Sequence, residues 1–471
     1  MEGSIQKNAI KAGKLTLKEK FSYGTGDIGF GFMFDLGQIY LLKFYTDVLG
    51  LPVAAAGLVF LITKVWDAFA DISIGTWIDN RKKIGPKGKF RPFILYATIP
   101  LAIITIVSFI TPSFTITGKI IWAYVTYMAF GSIYSVGNIA FGSMIPAMTT
   151  DPNERTQLAA FRQAGSNMAL FITTIAFMPI VMLFSNESTG YMVAVAIFAV
   201  LGVLLQIYCY SNIKERNVVQ KPKIVKGSIG KSYKGLLKNT PLLLLCLVNL
   251  FTFSAFNVKL AVQVYYCQYV LKNISIVPYM GFFSIGCVFI GCAMVPTIVK
   301  KLGKRYTYML GCAIWAFGDI LAFIFAKDAV VFIVFACFAF FGSSFVNSLN
   351  WALVSDAVEY GEWKTGTRSE GVVYSFFTFF RKLSQAIAGF IPAMVLAAVG
   401  YIPNAVQSVK AISAIRGLMF IYPSALAIAT IVVMGLFYKL TDDKYREIIV
   451  DLNARRNTTA RSVHARTGRR R

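Results

Sequence analysis

Hydrophobic residues occur in long blocks that are separated by short polar connections. Twelve blocks are long enough to cross a bilayer as helices, at roughly 20 residues each. A β-barrel would instead show weaker, alternating segments of about ten residues. The pattern therefore predicts an all-α membrane protein with twelve transmembrane helices, near residues 22–48, 53–78, 92–112, 118–146, 157–184, 190–211, 241–269, 276–299, 305–326, 329–355, 371–399 and 411–439.

The connections carry positive charge in alternation. Those near 79–92, 212–239 and 300–305 are rich in Lys and Arg, whereas the connections between them carry almost none. Cytoplasmic loops of membrane proteins are enriched in these two residue types. We therefore expect both termini to be cytoplasmic, as an even number of spans requires, and we expect a multi-pass protein of the bacterial cytoplasmic membrane.

The longest polar connection, 212–240, lies in the middle of the chain. It separates an N-terminal half at 22–211 from a C-terminal half at 241–439, and segments 1–21 and 440–471 flank the two halves. The basic turn KKIGPKGK after the second predicted helix has a weaker counterpart, KKLGKR, after the eighth. Two related six-helix halves around a binding site are typical of major facilitator transporters. We predict that pseudo-symmetric fold here.

The net charge of +25 does not indicate a nucleic-acid partner, because the basic residues concentrate in the connections. The basic tail after Leu440 either contacts anionic lipid or only helps to fix the topology. The seven cysteines have no metal-binding spacing and the single histidine, His464, lies in the tail, so we expect no metal site or cofactor. No nucleophile–base pair or phosphate-binding loop indicates an enzyme.

Three ionisable residues lie within about two turns of the second predicted helix: Lys64, Asp67 and Asp71. Such a residue near the bilayer centre costs at least about 2.5–3.5 kcal/mol and usually has a function. Asp67 and Asp71 are four residues apart and share a helix face, which should look into the protein or a wet cavity. We predict that both bind a coupling ion, H⁺ in preference to Na⁺, because a poorly solvated carboxylate binds a proton readily.

Other polar residues inside the predicted helices are candidates for substrate contact. An arginine can hold a carboxylate, a sulfonate or a pair of sugar hydroxyls through its planar fork, whereas a lysine supplies a compact charge. Alternatively, these cations pair internally with Asp35, Asp67 or Asp71. Lys259 and Asp319 also lie in apolar segments, but the sequence assigns them no partner. The substrate candidates are Asp35, Gln38, Asn138, Arg162, Trp351, Arg381 and Lys382.

Charges of alternating sign follow the tenth predicted helix, among them Asp356, Glu362 and Arg368. One interpretation is a solvated loop. The other, which we favour, is a cytoplasmic gate whose ion pairs break when the two halves move. Lys64 is a further candidate for this gating role.

Several stretches resemble one transporter family. They are SYGTGDIG, VWDAFAD, GKFRPFILYATIPL, DAVEYGEWKTGTRSEG and RKLSQAIAG. They resemble the glycoside–pentoside–hexuronide:cation symporters, the melibiose permease-like members of the major facilitator superfamily, and the resemblance covers nearly the whole chain. The branches of sulfoquinovose importers and glucuronide carriers look most similar. The resemblance implies alternating access, with a sugar or glycoside driven by H⁺ or Na⁺.

Carried over by position, the resemblance implies a cation site at Asp67 and Asp71 and a sugar site with Arg162 and Lys382. Where melibiose permease has a polar cation-site residue and two sugar-region carboxylates, this chain has Ala70, Asn138 and Gly31. Carboxylates are lost while the cations remain, as an anionic substrate would require.

We therefore expect a monomer that performs cation-coupled symport of an anionic sugar, either a sulfosugar or a hexuronide. One alternative is a symporter of neutral glycosides or pentosides in which the cations are only paired. The other is a lysolipid carrier on the same fold, a function found in an animal branch of this family.

Overall fold

The computed structural model describes residues 14–79, 88–149, 151–216, 236, 238–366, 370–452 and 454–455. The main elements within these ranges are helices, so the all-α prediction is confirmed. They are α1 (Leu17–Ile39), α2 (Val53–Asp79), α3 (Arg91–Ser108), α4 (Ile116–Met148), α5 (Pro152–Met182), α6 (Glu187–Asn212), α7 (Thr240–Tyr265), α8 (Ile276–Phe325), α9 (Ala329–Thr365), α10 (Glu370–Ala398), α11 (Val409–Arg416) and α12 (Tyr422–Val432). A short helix at Leu41–Lys43 follows α1, and four segments are π-helical: Phe44–Val48, Tyr266–Val270, Gly417–Ile421 and Val433–Phe437.

Ten helices of the described ranges are long and apolar enough to cross a bilayer. One of them, α8, has 50 residues and is interrupted at Gly303, where φ is 79° and ψ is 165°. This break lies between two of the predicted spans. Helix α1 has 23 residues and is long as well, but glycines and carboxylates lie among its apolar residues. A polytopic membrane protein is therefore the architecture that the helices support.

The charged stretch after the tenth predicted span is helical, contrary to our expectation of a connection at that point. Helix α9 continues to Thr365, so Asp356 and Glu362 lie on a helix. Tyr360 and Trp363 pack against a hydrophobic cluster, and these contacts keep the charged stretch helical. The helix ends at Gly366, whose φ of 72° suits a glycine that caps a helix C-terminus.

The described residues form two compact units. The first unit contains Met1–Pro222, Leu260–Phe282 and Ala386–Ile415, and the second unit contains Lys223–Lys259, Phe283–Gln385 and Arg416–Arg471. The boundary between the units falls inside α7, α8, α10 and α11. The first unit thus combines α1–α6 with part of each of these four helices.

Glycines of α1 bring its backbone close to its neighbours in the first unit. A Cβ added at Gly24 would lie 2.9 Å from the carbonyl oxygen of Phe161, and one added at Gly29 would lie 2.7 Å from that of Gly202. Small residues at such crossings let transmembrane helices pack backbone to backbone. These glycines thus serve helix packing and place α1 against α5 and α6.

In the second unit, Lys259 of α7 pairs with Asp319 of α8. The side chains are 1% and 0% exposed. The Trp315 indole N–H donates to the other carboxylate oxygen at 2.9 Å, and the Lys259 ammonium lies 5.6 Å from the ring centroid of Phe340. This pair answers the question that the sequence left open, because each residue is the other's partner.

We predict that Asp319→Asn destabilises the protein by about 3–5 kcal/mol, because it leaves the Lys259 charge buried without a counter-charge. The double variant with Lys259→Met should recover much of this loss. Thermal unfolding of the purified protein in detergent, followed by tryptophan fluorescence, would measure the difference. Asp443→Asn is the control, since Asp443 forms an exposed pair with Arg446 and should leave the melting temperature unchanged. Equal melting temperatures for Asp319→Asn and wild type would contradict the prediction.

Candidate functional site

The predicted coupling-ion site begins with a buried ion pair on α2. Lys64 Nζ donates to Asp67 Oδ2 at 3.2 Å, and both residues are 5% exposed. The ammonium also lies 5.1 Å from the ring centroid of Tyr127 on α4. A fixed positive charge therefore stands next to Asp67 within hydrogen-bonding distance.

Asp71 lies one turn further along α2 and accepts a hydrogen bond from the Ser135 hydroxyl of α4. One turn before Ser135, Ser132 accepts a bond of 3.0 Å from the indole of Trp66. The sequence analysis missed both serines, because a serine inside a helix usually bonds to its own preceding turn. The sequence did contain one signal for them, because the two serines lie three residues apart on the helix that also carries Asn138.

The carboxylate of Asp67 occupies the space that a side chain at position 131 would fill. A Cβ added at Gly131 would lie 2.6 Å from Asp67 Cγ and 2.9 Å from Oδ2. Gly131 of α4 is thus a positioning residue for the carboxylate, because only a glycine leaves room for it there.

Arg162 of α5 is held by two polar partners in the first unit. Its Nε donates to Asp27 Oδ1 at 3.2 Å, and its Nη2 donates to Asn138 Oδ1 at 2.9 Å. The guanidinium carbon lies 5.3 Å from the ring centroid of Phe141. The side chain as a whole keeps 29% of its surface exposed.

The sequence analysis left open whether Arg162 pairs internally. The structure shows internal pairing, but with Asp27, which we had not singled out as a site residue. Asp27 and Arg162 are 135 residues apart in the chain. Only the crossing of α1 and α5 brings Asp27 to the arginine.

Asp35 and Gln38 lie further along α1, and both residues are partly buried. The Oδ2 atom of Asp35 is buried and accepts no hydrogen bond from the described residues. Buried polar atoms normally have a partner. This oxygen is therefore suited to receive a proton or a donor group of a bound solute.

The second unit contains the other predicted substrate residues. The guanidinium of Arg381 on α10 lies 4.1 Å from the ring centroid of Phe253 and 5.5 Å from that of Trp351. Trp351 is 37% exposed and stacks on Tyr374 with ring centroids 6.1 Å apart. Lys382 follows Arg381 and is half-buried. Arg381 and Trp351 thus form one cluster.

Of the predicted gating residues, Asp356 accepts two hydrogen bonds from Lys304 Nζ, at 2.6 and 2.8 Å. Glu362 is half-buried on the same helix, and Arg368 lies outside the described residues. Lys64 pairs with Asp67 on α2, as given above. The partner Lys304 comes from the basic turn KKLGKR, which the sequence analysis had used only for topology. The gating role itself stays a prediction.

The beginning of the C-terminal segment contacts the same end of α9. The Trp363 indole donates to Asp451 Oδ2 at 2.7 Å, and the Tyr445 hydroxyl donates to Glu359. The hydrogen bond from Trp363, followed by that from Arg455, lowers the pKa of Asp451. The charged end of α9 therefore belongs to an ordered polar network.

Comparison with known sequences gives one consistent result. Residues 22–442 match the family described as MFS/sugar transport protein. An Escherichia coli K12 protein named "Putative 2,3-dihydroxypropane-1-sulfonate exporter" is 50% identical, with 94% of this chain and 97% of the relative covered. A second protein of that strain, named "Putative sulfoquinovose importer", is 49% identical, with 94% and 95% covered. The "Isoprimeverose transporter" of Lactiplantibacillus pentosus is 31% identical, with 90% and 88% covered.

Solved structures agree at the level of the fold. A bacterial homologue of the human lysosomal transporter Spinster, in an inward-facing and unoccupied conformation, gives a TM-score of 0.65 at 14% identity and covers 92% of this chain and 97% of that one. A point mutant of the nucleoside transporter NupG gives 0.61 at 12% identity, with 88% and 98% covered. At these identities the likeness supports a transporter fold and no particular substrate.

We predict that Gly131→Ala lowers the melting temperature, because the added methyl group displaces the Asp67 carboxylate from Lys64; overpacking of this kind costs about 1–3 kcal/mol. Gly75→Ala on α2 is the matched control, since a Cβ there meets nothing within 4 Å. In an Asp67→Ala background, Gly131→Ala should have a much smaller effect. Additive effects of Gly131→Ala and Asp67→Ala on the melting temperature would contradict this explanation.

Proposed function

Because the chain belongs to the MFS/sugar transport family and is a transporter rather than an enzyme, we propose that it carries a hydroxylated organic anion, foremost a sulfonate, by proton-coupled alternating access. The proposal includes twelve spans in two six-helix halves, both termini in the cytoplasm and a location in the bacterial cytoplasmic membrane. The alternation of basic connections supports this orientation.

The contacts of Arg162 are the observation that supports an anionic substrate. Its guanidinium is held by one carboxylate and one amide oxygen, and the side chain as a whole keeps 29% of its surface exposed. A guanidinium binds sulfonate or carboxylate oxygens through paired N–H groups. An arriving anion would replace Asp27 as its partner, while Asn138 would stay to orient the fork.

The relatives support a sulfonate in particular. The two E. coli relatives bear names for 2,3-dihydroxypropane-1-sulfonate and for sulfoquinovose, which is a sulfonated sugar. A sulfonate group and neighbouring hydroxyls are common to both compounds. One name is that of an exporter and the other that of an importer, so the two names indicate the cargo and not the direction of transport.

In the second unit, the cluster of Arg381 and Trp351 offers groups that a hydroxylated anion uses. An aromatic face can stack on a sugar ring, and the adjacent Lys382 adds positive charge. We propose Arg381, Lys382 and Trp351 as substrate-binding residues of the second unit, and Asp35 and Gln38 of α1 as substrate-binding residues of the first.

For the coupling ion, the surroundings of α2 favour H⁺ over Na⁺. Hard metal cations are bound by several oxygen ligands, but Asp67 already faces the ammonium group of Lys64. Asp71 accepts a hydroxyl hydrogen bond, an arrangement that a protonated carboxyl group can also form. We propose that Asp71 carries the exchanged proton and that Lys64 and Asp67 keep the neighbouring charge balanced.

A neutral glycoside is the second candidate, and the isoprimeverose transporter among the relatives favours it. In that case Arg162 would remain paired with Asp27 throughout the transport cycle. A lysolipid carrier has no such support, because the relatives reported above bear the names of small hydroxylated solutes.

We predict that proteoliposomes accumulate 2,3-dihydroxypropane-1-sulfonate or sulfoquinovose on a proton gradient alone, and that Arg162→Gln lowers this uptake at least tenfold. The guanidinium fork is lost, while the volume of the side chain is largely kept. Uptake of labelled sulfonates, hexuronates and neutral glycosides under separate H⁺ and Na⁺ gradients would measure this. Arg446→Gln is the control, because Arg446 forms an exposed pair. Sodium-driven accumulation of neutral glycosides, with no response to sulfonates, would refute the proposal.

We also predict that Asp71→Asn abolishes gradient-driven accumulation but keeps substrate exchange between two loaded compartments. An amide cannot carry the proton, yet it can still bond to Ser135, so the alternation of the loaded carrier should survive. Parallel assays of uptake and counterflow would separate these activities, with Asp443→Asn as the exposed control. Undiminished accumulation by Asp71→Asn would exclude Asp71 as the proton carrier.

A further inference from the structure

Two helices have ends in the first unit that are alike and unusual. Helix α1 and the short helix after it are followed by the π-helical segment Phe44–Val48, and α7 is followed by the π-helical segment Tyr266–Val270. Leu49 N–H donates to Phe44 O at 2.8 Å, and Leu271 N–H donates to Tyr266 O at 3.1 Å. Short π-helical turns occur frequently at functional sites.

The backbone after each turn is also alike. Gly50 has a φ of 75° and Lys272 has a φ of 53°. Each of them directly follows the leucine whose N–H closes its π-helical turn. The next bonds correspond as well, with Leu51 N–H donating to Tyr45 O and Asn273 N–H donating to Cys267 O, both at 2.9 Å. The two ends are therefore copies of one local structure, and Asp47 corresponds in position to Tyr269.

These two equivalent residues meet. Tyr269, which is 222 residues after Asp47, donates its hydroxyl hydrogen to Asp47 Oδ2 at 2.6 Å. One π-helical turn thus supplies the acceptor and its counterpart supplies the donor. In the same place, Thr46 of the first turn and Tyr265 of α7 have their hydroxyl oxygens 2.9 Å apart.

The loop after α10 completes the cluster. The Tyr401 hydroxyl donates to Asp47 Oδ1 at 2.8 Å, and the Asn404 side-chain amide donates to the Asp47 carbonyl oxygen at 2.7 Å. The Asn404 backbone N–H donates to the Tyr269 hydroxyl oxygen at 3.1 Å. A single aspartate therefore holds together the end of α1, the end of α7 and this loop.

Asp47 also has a charge partner on its own turn. Lys43 Nζ lies 2.6 Å from Asp47 Oδ2, and both side chains are 0% exposed. The Lys43–Asp47 pair can stay together when α1 moves, because both residues are on the same segment. The hydroxyl and amide donors, in contrast, come from other helices and a loop, so they are the bonds that separate if those elements move away.

We infer that Asp47, Tyr269, Tyr401 and Asn404 form a latch, closed here, that seals the extracellular end of the transport path and opens once in each cycle. The inference rests on the alternating access and orientation of the proposed function, since α1 begins at the N-terminal, basic side. Hydrogen bonds to a charged carboxylate are among the strongest in proteins. Losing one of them should shift the balance towards the open state by about tenfold or more.

The native Cys267 supplies the test, because it lies on the same π-helical turn as Tyr269 and is 0% exposed. It would be kept as the only cysteine, with Ser or Ala replacing Cys209, Cys246, Cys287, Cys292, Cys312 and Cys337. A charged, membrane-impermeant maleimide is added outside sealed right-side-out vesicles, and the labelling rate of Cys267 is measured. We expect Asp47→Asn and Tyr401→Phe each to raise this rate about tenfold or more.

Tyr191→Phe is the matched control, because it removes a buried hydroxyl of the same unit that bonds to none of the described residues. It should leave the labelling rate unchanged. If Asp47→Asn does not fold, Tyr401→Phe, which loses only one hydroxyl, still decides the question. An unchanged rate in well-folded Tyr401→Phe, an equal increase in Tyr191→Phe, or an increase seen only in inside-out vesicles would each overturn the latch.

Labelling requires no substrate and no ion gradient. A failure of the latch is therefore distinguishable from a failure of sulfonate transport or of proton coupling. Faster labelling in Asp47→Asn and Tyr401→Phe supports the latch whichever solute the protein carries.

Discussion

The cost of placing charge in apolar surroundings governs this structure. An isolated ion loses far more hydration free energy inside the protein than burial of its aliphatic part returns, so it needs a partner. The described helices meet this need by pairing within one helix, as in Lys64–Asp67, or between two helices, as in Lys259–Asp319 and Arg162–Asp27. Each pair between helices fixes how those helices cross.

The exposed fraction of the side chains distinguishes an ion pair that only stabilises the fold from one that a solute could reach. Lys259 and Asp319 are sealed by aromatic rings and have almost no exposed surface, so exchanging their partners would require opening the second unit. Arg162 keeps 29% of its side-chain surface exposed and shares its fork between a carboxylate and an amide. The same chemistry thus holds the fold at one place and, in the proposed function, receives the solute at the other.

Paired polar groups have a second use at the two π-helical turns, which share one backbone structure. The equivalent stretches FYTDVLG and YCQYVLK are identical only in their Val–Leu pair, yet they form the same π-helical turn with the same backbone bonds. The two turns share their backbone bonds but differ in their side chains, because one carries an acceptor, Asp47, and the other a donor, Tyr269. The two turns are complementary because their side chains differ.

The sequence by itself determined the all-helical membrane class, the family and the face of α2 that carries Asp67 and Asp71. These features follow from local quantities, namely the length of apolar blocks, the spacing of charges along one helix and contiguous motifs. Only the tertiary structure decided that Arg162 pairs with Asp27, that Ser135 reaches Asp71, that Lys259 meets Asp319 and that α9 continues through its charged end. Those pairings depend on helix crossings, which glycine contacts and side-chain packing set between segments far apart in the chain, and periodicity along one segment carries no information about them.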